Sequence, residues 1–288
     1  MSKLNEDLLK LLENLFEQSD QSFEDVLSEY RKSNGKLKQL VANLYMEYSI
    51  DGEISLTQTQ LQKAIKEIGL QIEKELRKIG TLEIALLTSL LSTVFTQSYY
   101  RTTYTLEKNI GIKISFNRLN KSIIDAFLKE NWSGKHFSQR IWSNLDQLNI
   151  SLANNLRKGI QNGYKLDKIA KLFDKEFGSK AYQSQRLVRT ETARIIETSR
   201  QKVYQDNGVD KVQWLATLDQ VTSEGCRELD GKIFSINDSS KPKCPRHPNC
   251  RSTYVPYLDF GTNLRKDNET KEYIPYKNYR EWEKANKL

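Results

Sequence analysis

The sequence predicts a mainly α-helical chain, with long N-terminal helices followed by a small α+β C-terminal module. Three observations carry this. All five prolines, at positions 242, 245, 248, 256 and 275, lie after residue 240. Proline is the strongest helix breaker, so the long proline-free stretch before them, rich in Leu, Glu, Lys and Gln, reads as helical. Apolar residues in that stretch recur every three or four positions, whereas after Gly208 the pattern shortens to strand-like runs that hold all three cysteines.

Composition bounds the alternatives. With 288 residues, the chain suits one large or two medium domains. It is 38% hydrophobic and 28% charged, which is polar but not the signature of disorder. No unbroken run of eighteen apolar residues exists, so no membrane span is expected. The acidic, amphipathic N-terminus does not read as a secretory signal. Three cysteines are too few for a disulfide scaffold and suit a reducing compartment.

The elements follow in chain order. Residues 1–30 hold eight acids and two bases, leaving +14 on the remainder of a chain whose net charge is +8. Such a start reads either as a docking helix or arm, or as a helix with a solvated acidic face. Leu61, Ile65, Ile68, Ile72, Leu76 and Ile79 form one helical stripe, which broadens through Leu86, Leu87, Leu90, Leu91, Val94 and Phe95. Residues 56–108 are therefore expected as one very long helix or two stacked ones, in a bundle or extended. Helical patterning continues at 123–128 and 138–159. Ser133 is the expected N-cap of the latter helix, with Trp132, Phe137 and Trp142 as core anchors and His136 as a capping or exposed side chain. A short helix over 166–173, punctuated by Gly163 and Gly178, precedes a second over 184–204 that ends at Asn207 and Gly208. Arg186, Arg189, Arg194 and Arg200 ring that second helix. They read either as a salt-bridged surface or as a basic face for phosphates or an acidic partner.

Beyond Gly208, strands are expected at 211–216, 232–236 and 252–257, with a hairpin turn at Asp230 and Gly231. Cys226, Cys244, His247 and Cys250 lie in this module, in C-x17-C-x2-H-x2-C order. Three thiolates and one imidazole complete a closed tetrahedral zinc set, and prolines 242, 245 and 248 stiffen the turn that carries it. A metal would stabilise a module with little core of its own. The other reading is three thiols with His247 hydrogen-bonded in the loop.

Enzyme chemistry has little support. A zinc nuclease needs an open metal position and a general base. The only histidines, His136 and His247, are 111 residues apart, and neither H-E-x-x-H nor G-x4-G-K-[ST] occurs. Asp219, Glu224, Glu228 and Asp230 could be drafted as ligands, but read more simply as turn and surface residues. A sequence-specific DNA-binding regulator would need helix-turn-helix spacing, and a single long helix fills 186–200 instead.

Several residues together carry a resemblance. Arg189, Thr190 and Glu191, Tyr204, Gly208, Val209, Trp214, Asp219, Thr222, Cys226, the run from Leu229 through Asp230 and Gly231 to Phe234, and His247, Pro248, Asn249, Cys250 and Arg251 resemble the C-terminal domain of phage Mu F-like head morphogenesis proteins. Trp132 to Trp142 is similar to members from phages of Gram-positive bacteria. The match covers about 131–257. Arg189, Glu191, Trp214, Asp219, Asp230, Gly231, Asn249 and Arg251 are the motif positions.

The resemblance implies a non-enzymatic minor head protein that associates with the portal and with scaffold or major capsid protein. It implies a role in head assembly and DNA ejection and a place in the procapsid interior and virion head; the +14 outside the first thirty residues suits non-specific contact with packaged DNA. It divides the chain into a helical region at 1–120 for portal or scaffold interaction, a Mu F-like domain at 121–258 with its β module from 209, and a tail at 259–288. Some members carry a toxin domain, often an ADP-ribosyltransferase. Only about thirty residues follow Tyr257 here, so no effector activity is expected. Many members have a cysteine where this chain has Ser223, and commonly proline where it has Cys244.

Overall fold

Helix α1 (Lys3–Tyr48) shows why the chain starts as a helix. Leu4, Leu8, Leu15, Phe23, Val26, Tyr30, Leu37 and Val41 are buried at helical spacing, while Glu13, Glu17, Glu24 and Asp25 stay exposed. The acidic start is thus one face of a packed helix, and the docking-arm reading is corrected: Leu4 and Leu8 sit in a core cluster with Trp214 and Tyr254. The computed structural model describes residues 3–50, 53–110, 118–257, 264–266, 269–270, 273–275 and 278–285. A two-residue pair, β1 (Ser49–Ile50) and β2 (Glu53–Ile54), follows α1 with no sequence signal of its own.

Helix α2 (Gln58–Ile110) is a single helix of 53 residues. Leu61, Ile68, Ile72, Leu76 and Ile79 are buried as the stripe requires, as are Leu87, Leu90, Leu91, Val94 and Phe95. This helix is long and apolar enough over an eighteen-residue window, mean hydropathy 1.6, to cross a membrane by length and composition. It holds no unbroken apolar run because Thr and Ser interrupt the stretch without adding charge. The buried side chains named above have the environment of a core helix, which passes the same test.

Helix α3 (Lys121–Lys129) is capped by Asn120, whose side chain accepts from Ile123 N at 2.9 Å. Helix α4 (Phe137–Gln161) begins at a different cap from the one expected. His136, not Ser133, is the N-cap, in a capping box with Gln139, while Ser133 accepts from Arg140 at 2.7 Å. Of the expected anchors, Phe137 is buried, Trp132 half-buried and Trp142 37% exposed. Helix α5 (Leu166–Asp206) is one helix of 41 residues rather than two. Gly178 sits inside it, because a single helical glycine costs only about 1 kcal/mol and a buried stripe outweighs it. Helix α5 stops where Gly208 adopts φ 68°, as its αL cap predicts.

The remaining elements are β3 (Lys211–Leu215), α6 (Glu224–Arg227), β4 (Ile233–Ser235), β5 (Thr253–Pro256), the pair β6 (Leu264–Lys266) and β7 (Tyr273–Pro275), and α7 (Tyr279–Ala285). The three expected strands form one antiparallel sheet in the order β4-β3-β5. Val212 opposes Phe234 on one side and Pro256 on the other, and Trp214 opposes Tyr254, whose ring meets it edge-on at 5.0 Å. The central strand is buried from Val212 to Leu215 without alternation, as befits a strand covered on both faces. Tyr279 and Trp282 of α7 form a second cluster with Leu218.

The chain divides into two compact units that interleave in sequence. One comprises Met1–Asp20, Ser89–Glu130 and Leu187–Leu288, the other Gln21–Thr88 and Asn131–Arg186. The second unit is helical apart from the β1–β2 pair. Within it Tyr30 packs edge-on against Phe177 at 6.4 Å, Ser33 donates to Glu75 at 2.9 Å, and Trp142 lies over Gly80. The first unit holds the sheet and the Cys/His cluster.

Candidate metal centre

The site is built on two short loops of the sheet module. Ser223 is the N-cap of α6, and Cys226 is the third residue of that helix, with its amide bonded to Ser223 O at 3.0 Å. The opposite loop turns at His247–Cys250, where Cys250 N donates to His247 O at 3.1 Å. Asn249 takes φ 58° in that turn, a left-handed conformation that Asn tolerates better than most residues. Its amide donates to Thr190 Oγ1 at 3.1 Å, which ties the turn to α5.

These loops bring three ligand atoms together. Cys226 Sγ lies 3.3 Å from His247 Nε2 and 3.8 Å from Cys250 Sγ. The ligand atoms of Cys226, His247 and Cys250 all fall within 4.8 Å of one another. Two sulfurs each about 2.3 Å from a tetrahedral zinc would stand about 3.8 Å apart, so this pair already has the required edge. His247 Nδ1 lies 2.9 Å from Pro248 O. A carbonyl only accepts, so the proton sits on Nδ1 and the Nε2 lone pair faces the sulfurs, the usual arrangement behind a metal-binding imidazole. Both cysteines are buried and His247 is half-buried. Bonds from Cys226 and Cys244 hold the Cys250 thiol below its ordinary value, while the bond to Cys250 and burial push Cys226 up. The residues fit a metal ion.

Cys244, the fourth member of the expected set, is not in this group among the described residues. Its Sγ donates to Ser252 O at 3.1 Å, and burial pushes its thiol well above the ordinary range. Ser223 Oγ instead stands 2.8 Å from His247 Nε2.

The basic face on α5 needs correction. Arg194 and Arg200 are buried, so they present nothing to phosphates or to a partner. Arg194 pairs with Glu191 at 3.0 Å and donates to Phe127 O at 3.1 Å. Arg200 donates to Thr253 Oγ1 at 3.1 Å and to Leu8 O at 2.5 Å, and Thr253 in turn donates to Glu197. The reason is amphipathicity: α5 turns this face towards the core, and its guanidiniums satisfy groups that no apolar side chain could. Arg189 grips Asp20 in a two-pronged bond at 2.8 and 3.0 Å, and Arg186 is exposed.

The remaining motif residues hold the module together. Asp219 accepts both prongs of Arg251 and the Thr222 hydroxyl. Asp230 accepts from Ala216 N at 2.8 Å and Tyr279 N at 2.6 Å, and Gly231 turns the chain at φ 78°. Glu224 and Glu228 are exposed. Beside the cluster lies a cleft of about 1090 Å³, lined by Leu9, Leu12 and Phe16 of α1 together with Leu218, Val221, Ser223 and His247. No sequence signal links α1 to this cleft, because more than two hundred residues separate Phe16 from Leu218 across it.

Residues 151–255 match the family described as Phage Mu protein F like protein. The chain is 24% identical to the minor head protein GP7 of Bacillus phage SPP1, over 98% of this chain and 97% of GP7. It is 32% identical over 203 residues, 65% of its length, to NAD(+)--arginine ADP-ribosyltransferase EFV of Enterococcus faecalis (strain ATCC 700802 / V583), of which it spans 42%. No solved structure matches. The chain thus carries a segment similar to the Phage Mu protein F like family and resembles a phage minor head protein along its length.

Proposed function

We propose that the protein is a non-enzymatic component of a tailed-phage head, working in head assembly and DNA ejection by lying against the portal. The single observation that carries this is the likeness to GP7 along almost the whole of both chains. Residues 1–120 are proposed to engage portal or scaffold, residues 121–258 to form the Mu F-like domain, and 259–288 to complete it as a tail. The protein would assemble in the bacterial host cytoplasm, enter the procapsid interior and remain in the virion head. The excess of +14 outside the first thirty residues favours additional, non-specific contact with packaged DNA. With Arg194 and Arg200 buried, exposed residues such as Arg157, Lys158 and Arg186 would make it.

The Cys226, His247 and Cys250 group is proposed to hold zinc as a structural staple for the sheet module. Zinc would supply cross-linking between the α6 loop and the 247–250 turn. Asp219 and Asp230 support the non-enzymatic reading, since both spend their carboxylates on Arg251 and on backbone amides.

Co-expression with the portal protein of the same phage, followed by affinity pull-down, tests the partner. A stable complex is expected, together with the chain in purified heads. Heads that lack it yet remain fully infectious would overturn the reading.

A further inference from the structure

We infer that the metal in this chain is held by Cys226, His247 and Cys250, and that its fourth corner is the Ser223 hydroxyl rather than the Cys244 thiol. The inference rests on the metal reading above and deepens it.

Four observations converge. Ser223 Oγ stands 2.8 Å from His247 Nε2, the same nitrogen that faces Cys226 at 3.3 Å. Ser223 is the N-cap of α6, yet its side chain makes no cap bond, so the hydroxyl is turned from its ordinary task towards the cluster. Cys244 Sγ donates to Ser252 O at 3.1 Å and touches the cluster only through Cys250, outside the group formed by Cys226, His247 and Cys250. Ser223, His247 and Cys250 line the cleft while Cys226 does not, so the fourth corner lies on the open side of the site.

The chemistry follows. Binding a divalent ion releases the two thiol protons of Cys226 and Cys250, and the two thiolates balance the ion's charge. A neutral hydroxyl is a harder and weaker donor to zinc than a third thiolate. The metal should therefore be retained less firmly than in a three-thiolate site, and it can be exchanged from the cleft.

The test uses the full chain, stripped with a chelator and titrated with Co²⁺ alone, then with Zn²⁺ in competition. Thiolate-to-cobalt charge transfer reports the number of sulfur ligands without any assay of activity. The wild type should take up one equivalent with a two-thiolate band. Ser223→Cys should raise that band by about half and tighten Zn²⁺ binding by about 10–100-fold. Ser223→Ala should keep the two-thiolate band with weaker retention, and Cys244→Ala should change neither. A band that falls by about a third in Cys244→Ala, and does not rise in Ser223→Cys, overturns the assignment of the fourth corner and leaves the metal reading standing. No stoichiometric uptake by the wild type or by Ser223→Cys, with native far-UV spectra, overturns both.

Discussion

The helical unit and the sheet-bearing unit are stabilised in different ways. In the helical unit, residues three and four apart meet the same core, and one stripe per helix is enough. Ile72, Leu76 and Ile79 are buried on α2, and Leu145, Leu148, Leu152 and Leu156 on α4, with few polar groups among them. The other unit has short strands and must bury polar side chains to tie distant segments together. Glu197 accepts from Thr253 and from Tyr254 N, Arg200 reaches Thr253 and Leu8, and the Cys/His cluster joins two loops. A long helix satisfies its own backbone, whereas three short strands leave ends that side chains must satisfy.

The sharpest way to break that contrast is Arg200→Ala. It leaves the buried Leu8 carbonyl and Thr253 hydroxyl without their charged donor and removes a positive charge near the buried Glu197 carboxyl, and about 3–5 kcal/mol of stability should be lost in denaturant unfolding. A loss no larger than that of an exposed substitution would show that the polar cross-links do not hold the unit. Next is metal removal. With zinc at about 100–1,000 times its Kd, a chelator should withdraw about 3–4 kcal/mol. Hydrogen exchange should rise in β3, β5 and α6 and stay unchanged in α4; uniform loss across both units would contradict the local role.

Glu83, a buried carboxylate of the helical unit, sharpens the comparison. Glu83 accepts from Tyr30 at 3.3 Å and from Ser184, and burial pushes its pKa from 4.5 up to about 7. The folded state therefore keeps a proton that the unfolded chain loses between pH 4.5 and 7, and stability falls as pH rises through about 7. Glu83→Gln should match the wild type below pH 4.5 and exceed it by about 1–3 kcal/mol at pH 8. Identical pH profiles for the two proteins would contradict this. The smallest effect is expected at Gly80, where an added Cβ would lie 2.4 Å from the Trp142 ring. Gly80→Ala should cost about 1–2 kcal/mol, and Trp142→Leu in the same chain should recover much of it. No recovery in the double variant would mean that the ring is not the obstacle.

Helices were the most legible part, and their ends the least. The stripe from Leu61 to Ile79 has one meaning, because its period is that of the helix itself. Gly178 misled because a glycine marks a break only when no buried stripe runs through it. Ser133 misled because any serine before an apolar run can cap, and only the turn through Gly134 selects His136. The cysteine cluster was legible as a set, yet Ser223 and Cys244 differ in which one faces His247, and spacing alone does not encode direction.

Residue order along the chain was sufficient for the mainly helical class, the β module after Gly208 and the types of side chain available for a metal. These are local properties, set by periodicity, by proline placement and by ligand chemistry. Burial of Arg194 and Arg200, the seating of Leu4 and Leu8 beside Trp214, and the approach of Ser223 to His247 required the folded chain. Each depends on segments far apart in sequence, and close approach between such segments is decided by the packing of the whole core, not by any window of residues.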